Sequence, residues 1–236
     1  MSGKVILYGE LAERSEAERL IRERAPELHV ESTARGLEFA ERACHGGFDV
    51  AVVLRGPISG HDERTEAVTR LRRNGFAGRI LCQGAFLTEK QDVLAAGADY
   101  FFDPDRQTLE TVVKAAVMRP RLAADHPYLR FLFHDEWASI EAYGDETPAA
   151  IPDVMLVSIS SHASESFFSR ASRYLTSNPA IRTVVVDDGG TEEASIAAMS
   201  AGLQPDVVLA EEGLAPVVER VRRLLRDCWF SRIAAA

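Results

Sequence analysis

The sequence predicts an α/β protein of two tandem, doubly wound parallel-sheet units, the second abbreviated. Three observations point there. Short apolar runs alternate with helix-forming stretches from residue 4 onward, the pattern of strands joined by crossover helices. DVAVVL (49–54) is apolar almost throughout, as a parallel strand covered on both faces requires. Beyond Pro120 the pattern starts again, with DVMLVS (153–158) matching DVAVVL.

In the first repeat KVILY (4–8) reads as strand one. A helix follows over 10–25, with Leu11, Ala17, Leu20 and Ile21 as its apolar stripe. LHVES (28–32) is strand two. A second helix spans 36–46, its inner face formed by Leu37, Phe39, Ala40 and Ala43. DVAVVL is strand three. The helix over 62–73 groups Ala67, Val68 and Leu71, and RILC (79–82) is strand four. The next helix, 88–96, stops at Gly97, a residue suited to a left-handed cap. DYFF (99–102) is strand five and 109–118 the fifth helix, after which Pro120 breaks the pattern.

In the second repeat PYLRFLFHDE (127–136) can be laid on GKVILYGE (3–10), and IRTVVVDD (181–188) on RILCQ (79–83). MSAGLQPDVVL (199–209) follows LAAGADYFF (94–102), and LAPVVERVRRLL (214–225) follows the fifth helix. Strand one to strand three takes 4–54 in the first repeat but only 127–158 in the second. The second strand–helix pair is therefore expected to be shortened or missing, with GDETPAAIP (144–152) as its loop. A missing strand would leave an edge for a neighbour to cover. The division of the chain is 1–120 and 121–236.

Composition narrows the function. The 236 residues suffice for two domains. A net charge of −9 argues against a broad nucleic-acid surface. The basic stretch Arg220–Arg226 reads as a solvated helix face. Three cysteines, Cys44, Cys82 and Cys228, show no metal-like spacing and fit a reducing cytoplasm. The first residues carry no secretory pattern, and no apolar run approaches the ~20 residues of a membrane span. Trp229 and Phe230 follow a basic amphipathic helix and either dock back onto the fold or mark a partner surface. Ser160, Ser161 and His162 lack the spacing of a nucleophile elbow and read as helix-capping residues.

The element order, the spacing and the Ala-Gly-Ala-Asp phrase at 96–99 resemble the response-regulator receiver (CheY-like) family, a flavodoxin-like fold, in both halves. That resemblance implies a pocket at the carboxyl ends of the strands. Receivers carry an acidic pair after strand one, a phospho-accepting Asp after strand three, a hydroxyl after strand four and a Lys-Pro after strand five. The carboxylates hold Mg²⁺; metal and Lys neutralise the transferring phosphoryl group. In the first repeat Gly9 and Glu10 stand at the acidic pair, Leu54 at the acceptor with Arg55 beside it, Gln83 at the hydroxyl and Asp103 at the Lys. An aliphatic side chain accepts no phosphoryl group, and Asp103 would repel one. Arg55 is expected either to pair with Glu10 or Asp103 or to point to solvent. In the second repeat Asp135 and Glu136 keep the acidic pair, Ser158 aligns with the acceptor, Asp188 with the hydroxyl, and Ala210 or Glu211 with the Lys.

The expectation is a degenerate, tandem pseudo-receiver: a cytoplasmic, non-enzymatic signalling adaptor without catalytic residue, cofactor or resident metal. It would bind protein partners without aspartyl phosphorylation, and would bind neither nucleic acid nor membrane. By analogy with receivers, a homodimer is expected through the face made by the fourth helix, fifth strand and fifth helix. No room is expected after 214–225 for a DNA-binding output. Two alternatives stand beside this reading: a small-ligand or divalent-metal sensor at the second pocket, and an assembly component completed by another chain.

Overall fold

The computed structural model describes residues 3–55, 61–84, 86–133, 137–143, 148–159, 165–187, 192–200, 203, 208–209 and 213–236. Unit 1 comprises Met1–Met118 with Phe230–Ala236, and unit 2 comprises Arg119–Trp229. In unit 1 the chain runs β1 (Lys4–Tyr8), α1 (Leu11–Arg24), β2 (His29–Thr33), α2 (Gly36–His45), β3 (Val50–Val53) and α3 (His61–Arg73). It continues through β4 (Arg79–Gln83), α4 (Leu87–Ala95), β5 (Tyr100–Phe102) and α5 (Leu109–Ala116). Every pairing is parallel, in the order β2-β1-β3-β4-β5. The crossover helices cover both faces of this sheet. Ile6, Tyr8, Ala51, Val53 and Ile80 point to one face, against Phe39, Ala40 and Ala43 of α2 and Ala67, Val68 and Leu71 of α3. The alternate residues Val5, Leu7, Val52 and Leu81 are equally buried, and α1 packs beside α5.

Unit 2 runs β6 (Arg121–Ala124), α6 (Pro127–Leu132), β7 (Ser139–Ala142), β8 (Val154–Ser158), α7 (Glu165–Ser177), β9 (Arg182–Asp187), α8 (Glu192–Ser200), β10 (Val208–Leu209) and α9 (Ala215–Ala234), whose final residues group with unit 1. Its sheet order is β10-β9-β8-β6-β7, again all parallel. Numbered within the unit, that is the order of unit 1. The two sheets thus share one doubly wound, flavodoxin-like topology.

Matched backbone contacts bind the repeats to one register. Asp49 accepts from the backbone N–H of Lys4 at 2.9 Å, and Asp153 accepts from that of Arg121 at 2.8 Å. Each Asp returns its own N–H to the carbonyl of the same residue, at 2.9 Å in both units. The aspartate that precedes the central strand therefore clamps the start of the neighbouring strand, a charge-assisted bond that fixes register. Asp99 plays a related part at β5. It accepts from the N–H of Ile80 at 2.8 Å and from Arg79 at 3.0 Å, and pairs with Arg72. The Gly97 beside it has φ +111°, and its carbonyl accepts from Arg72 Nε at 2.9 Å. The Ala-Gly-Ala-Asp phrase is thus a structural brace, with glycine required by the backbone.

One expectation is corrected, and of the two outcomes expected for the second strand–helix pair the milder one holds among the described residues. The segment 127–136 does not form the first strand of unit 2; RLAA at Arg121–Ala124 does, and 127–132 is α6. His126 caps that helix, its Nδ1 accepting from the N–H of Tyr128 at 3.2 Å, and Pro127 occupies the first turn, both helix-starting features. The second strand is present as β7, paired with β6 over all four of its residues. What unit 2 lacks, among the described residues, is a helix between β7 and β8. Tyr143, the residue after β7, is 2 % exposed, its ring 5.7 Å from Phe167 and 6.0 Å from Tyr174.

Trp229 docks onto the fold, fully buried and edge-on to Trp137 at 6.2 Å. Phe230 lies 6.2 Å from Tyr100 within unit 1, where the Gln107 amide donates to the Ile233 carbonyl at 2.9 Å.

Candidate functional site

The carboxyl ends of β1, β3, β4 and β5 bring Gly9, Glu10, Leu54, Arg55, Gln83 and Asp103 to one end of the unit 1 sheet. Leu54 follows β3 and is 2 % exposed, and its N–H donates to the Tyr8 carbonyl at 2.8 Å. It fills the end of β3 with hydrocarbon. Gly9 allows that fit: a Cβ there would lie 3.0 Å from Leu54 Cβ. Its carbonyl accepts from Arg14 Nε at 2.8 Å, and Arg14 also donates to Ser32 Oγ at 3.1 Å. Glu10 precedes α1 in extended conformation and makes no side-chain cap.

Arg55 forms an ion pair with neither Glu10 nor Asp103 among the described residues. Its backbone N–H donates to Gln83 Oε1 at 3.2 Å, and its guanidinium lies 5.7 Å from the centre of the Phe86 ring, a cation–π distance. Asp103 turns back on its own loop. It accepts from the N–H of Asp105 at 3.0 Å and faces Arg106 Nε at 3.6 Å.

A cleft of about 500 Å³ opens beside these residues, lined by Leu54, Arg55, Gln83 and Pro104 from the strand ends and by residues of α1 and α5. Within it Glu110 is 5 % exposed. Burial pushes its carboxyl up, but its own backbone N–H, the Thr108 hydroxyl and the Arg24 guanidinium outweigh that and hold it below the ordinary carboxylate range.

Behind the strand ends lies a group with no signal in the sequence pattern. Arg64 of α3, 4 % exposed, donates to the Gln83 carbonyl at 2.9 Å and to Glu89 of α4 at 2.6 Å. This buried ion pair ties two helices to the end of β4. The sequence shows only an Arg and a Glu on two charged helices, and the closure between them is a tertiary event.

In unit 2, Ser158 ends β8, 1 % exposed, and its N–H donates to Asp125 Oδ2 at 2.8 Å. The matched register Lys4/Arg121 and Asp49/Asp153 makes Ser158 the counterpart of Leu54, and Asp125 the counterpart of Tyr8. Asp135, Glu136, Asp188 and Glu211 lie outside the described residues. In chain order Asp135 and Glu136 follow α6, not β6. Asp125, directly after β6, is an acidic residue at this strand end that alignment by apolar pattern did not include, and in the same register His126 and Pro127 stand opposite Gly9 and Glu10. The signal was the Asp153 clamp, which fixes Arg121 as the start of the strand.

Among the described residues no cluster of three or more His, Cys, Asp or Glu is arranged to hold a metal ion. No helix among them is long and apolar enough to cross a membrane.

No protein-family model matches the chain, and no curated protein matches it. Among solved structures, two described as two-component system response regulator/GGDEF domain proteins are similar. One is 14% identical with a TM-score of 0.44, covering 96% of this chain and 98% of that one. The other is 16% identical with a TM-score of 0.45, covering 96% and 99%. The GsuK channel is 13% identical with a TM-score of 0.34, covering 96% of this chain and 69% of that one. Likeness this slight transfers no activity. The strand order alone defines the class: a doubled, doubly wound α/β protein.

Proposed function

We propose that the chain is a non-enzymatic signalling adaptor whose receiver-like units work by contact and undergo no aspartyl phosphorylation. The observation that carries this reading is Leu54, sealed at 2 % exposure where a receiver needs an accessible carboxylate. Phosphoryl transfer needs a nucleophile in line with the donor and a cation at the transferring group. The first pocket offers hydrocarbon, an amide and a carboxylate already held by its own loop. The test is incubation with acetyl phosphate and Mg²⁺, read by intact mass and peptide mapping. No adduct is expected; a phosphoryl group mapped to any aspartate overturns the proposal.

The partner is a protein, and a homodimer through α4 is the narrower form of the proposal. On the face made by α4, β5 and α5, Tyr100 and Gln107 are already covered by Phe230 and Ile233. Phe86 and Leu87, at the start of α4, are 58% and 70% exposed. Light scattering at micromolar concentration should give a dimer that Leu87→Glu dissociates. A wild-type monomer removes this form.

A second reading, an assembly component completed by another chain, is favoured by β7. This edge strand stays half-exposed with no following helix among the described residues, and such edges recruit partners. Hydrogen exchange of the amides at 139–142 should then slow as protein concentration rises; rates independent of concentration exclude it.

A further inference from the structure

We propose that the unit 1 cleft binds an α-amino acid with an apolar side chain. The inference concerns a small ligand and stands independently of the adaptor reading. The cleft's volume, about 500 Å³, lies within the ~300–1,000 Å³ of small-molecule sites. Leu20, Leu54 and Leu109 give it an apolar lining.

The charges around it do not all cancel internally. Glu110 is matched by Arg24. Glu16 is matched by Arg19 at 2.7 Å. Two groups of opposite sign are left over. Glu13 lines the cleft, and its Oε2 is buried with no hydrogen-bond partner among the described residues. Arg55 also lines it, and its guanidinium has only the Phe86 ring beneath it, with no carboxylate partner among the described residues. A buried carboxylate oxygen without a donor is costly, and an arginine fork suits a carboxylate in bidentate geometry.

A zwitterion answers both. Its ammonium donates to Glu13, its carboxylate accepts from Arg55, and its side chain covers the leucines. A simple amine leaves Arg55 unmatched. A simple acid leaves Glu13 unmatched and meets the repulsion of Glu16. No covalent step is involved.

Isothermal titration of the full chain with L-leucine tests this, beside isoamylamine, which lacks the carboxylate, and 4-methylpentanoate, which lacks the ammonium. Saturable heat is expected for leucine, with binding at least about tenfold weaker for each analogue. Glu13→Gln and Arg55→Gln should each weaken leucine binding by about tenfold or more without lowering the thermal melt of the unliganded protein. L-phenylalanine serves as a second probe in case leucine is too small. No heat from either amino acid at millimolar concentration overturns the proposal. So does equal binding of an analogue, or leucine binding that survives both substitutions. Failure of the phosphorylation test would leave this result untouched, because the readout is ligand heat alone.

Discussion

Two sheets of the same strand order are covered in different ways. In unit 1, α2 follows β2 and lays Phe39, Ala40 and Ala43 on the sheet. In unit 2 no helix among the described residues follows β7, and Tyr143 packs with Phe167, Phe168 and Tyr174 of α7. One face needs apolar volume, and either a helix of small residues or a few large aromatics can supply it. The strand order therefore rests on the strands and their aspartate clamps, whereas a crossover helix is replaceable cover. The two strand ends differ as well. Leu54 seals one site with hydrocarbon, while its counterpart Ser158 is anchored to Asp125.

Removing the cover in each unit should have the largest effect. Phe39→Ala and Tyr143→Ala should each cost about 3–5 kcal/mol, read by denaturant unfolding with hydrogen exchange to assign the loss to a unit. If Tyr143→Ala costs less than about 1 kcal/mol, the tyrosine does not stand in for the helix.

The buried pair of unit 1 comes next. Glu89→Gln leaves Arg64 charged and buried, and should cost about 3–5 kcal/mol. The double replacement Arg64→Met with Glu89→Met should recover most of that loss, because two hydrophobic side chains need no partner. A double variant as unstable as the single one would show that the Gln83 carbonyl, left without its donor, dominates.

A smaller effect tests the equivalence of the repeats. Asp49→Ala and Asp153→Ala each strand a backbone N–H at a strand start, and each should cost about 1–3 kcal/mol. Similar losses support one shared register device. A large loss at one and none at the other would mean that the matched contacts are not equivalent in energy.

The smallest effect is a pH dependence confined to unit 1. The folded Glu110 carboxyl lies below its unfolded value of about 4.3. Its stabilisation is therefore present above that pH and is lost as pH falls through the folded value. Wild type should lose its advantage over Glu110→Gln as urea midpoints are followed downward from pH 5. A gap that widens on acidification would reverse the sign and refute the assignment.

Much of unit 1 was legible because its strands and helices carry opposite hydrophobic periods. DVAVVL, RILC and DYFF all became strands, and Gly97 took the positive φ expected of it. The misreading of 127–136 has a physical cause. YLRFLF is apolar enough to pass for a strand, and a six-residue helix is too short to display its period. Pro127 with a capping residue before it was the usable signal. Of the two outcomes expected for Arg55, a carboxylate partner or solvent, the second holds: the residue is exposed, and its guanidinium also lies over Phe86, an aromatic one strand further on.

Local chemistry thus specified the alternation, the parallel sheet class and the identities at the strand ends, because side-chain period and backbone preference act over a few residues. Only the tertiary structure decided that Arg64 meets Glu89, that Tyr143 packs with Phe167 and Tyr174, and that Glu13 and Arg55 border one cleft. Those outcomes depend on chain segments far apart in sequence arriving at the same place, and no local pattern encodes their meeting.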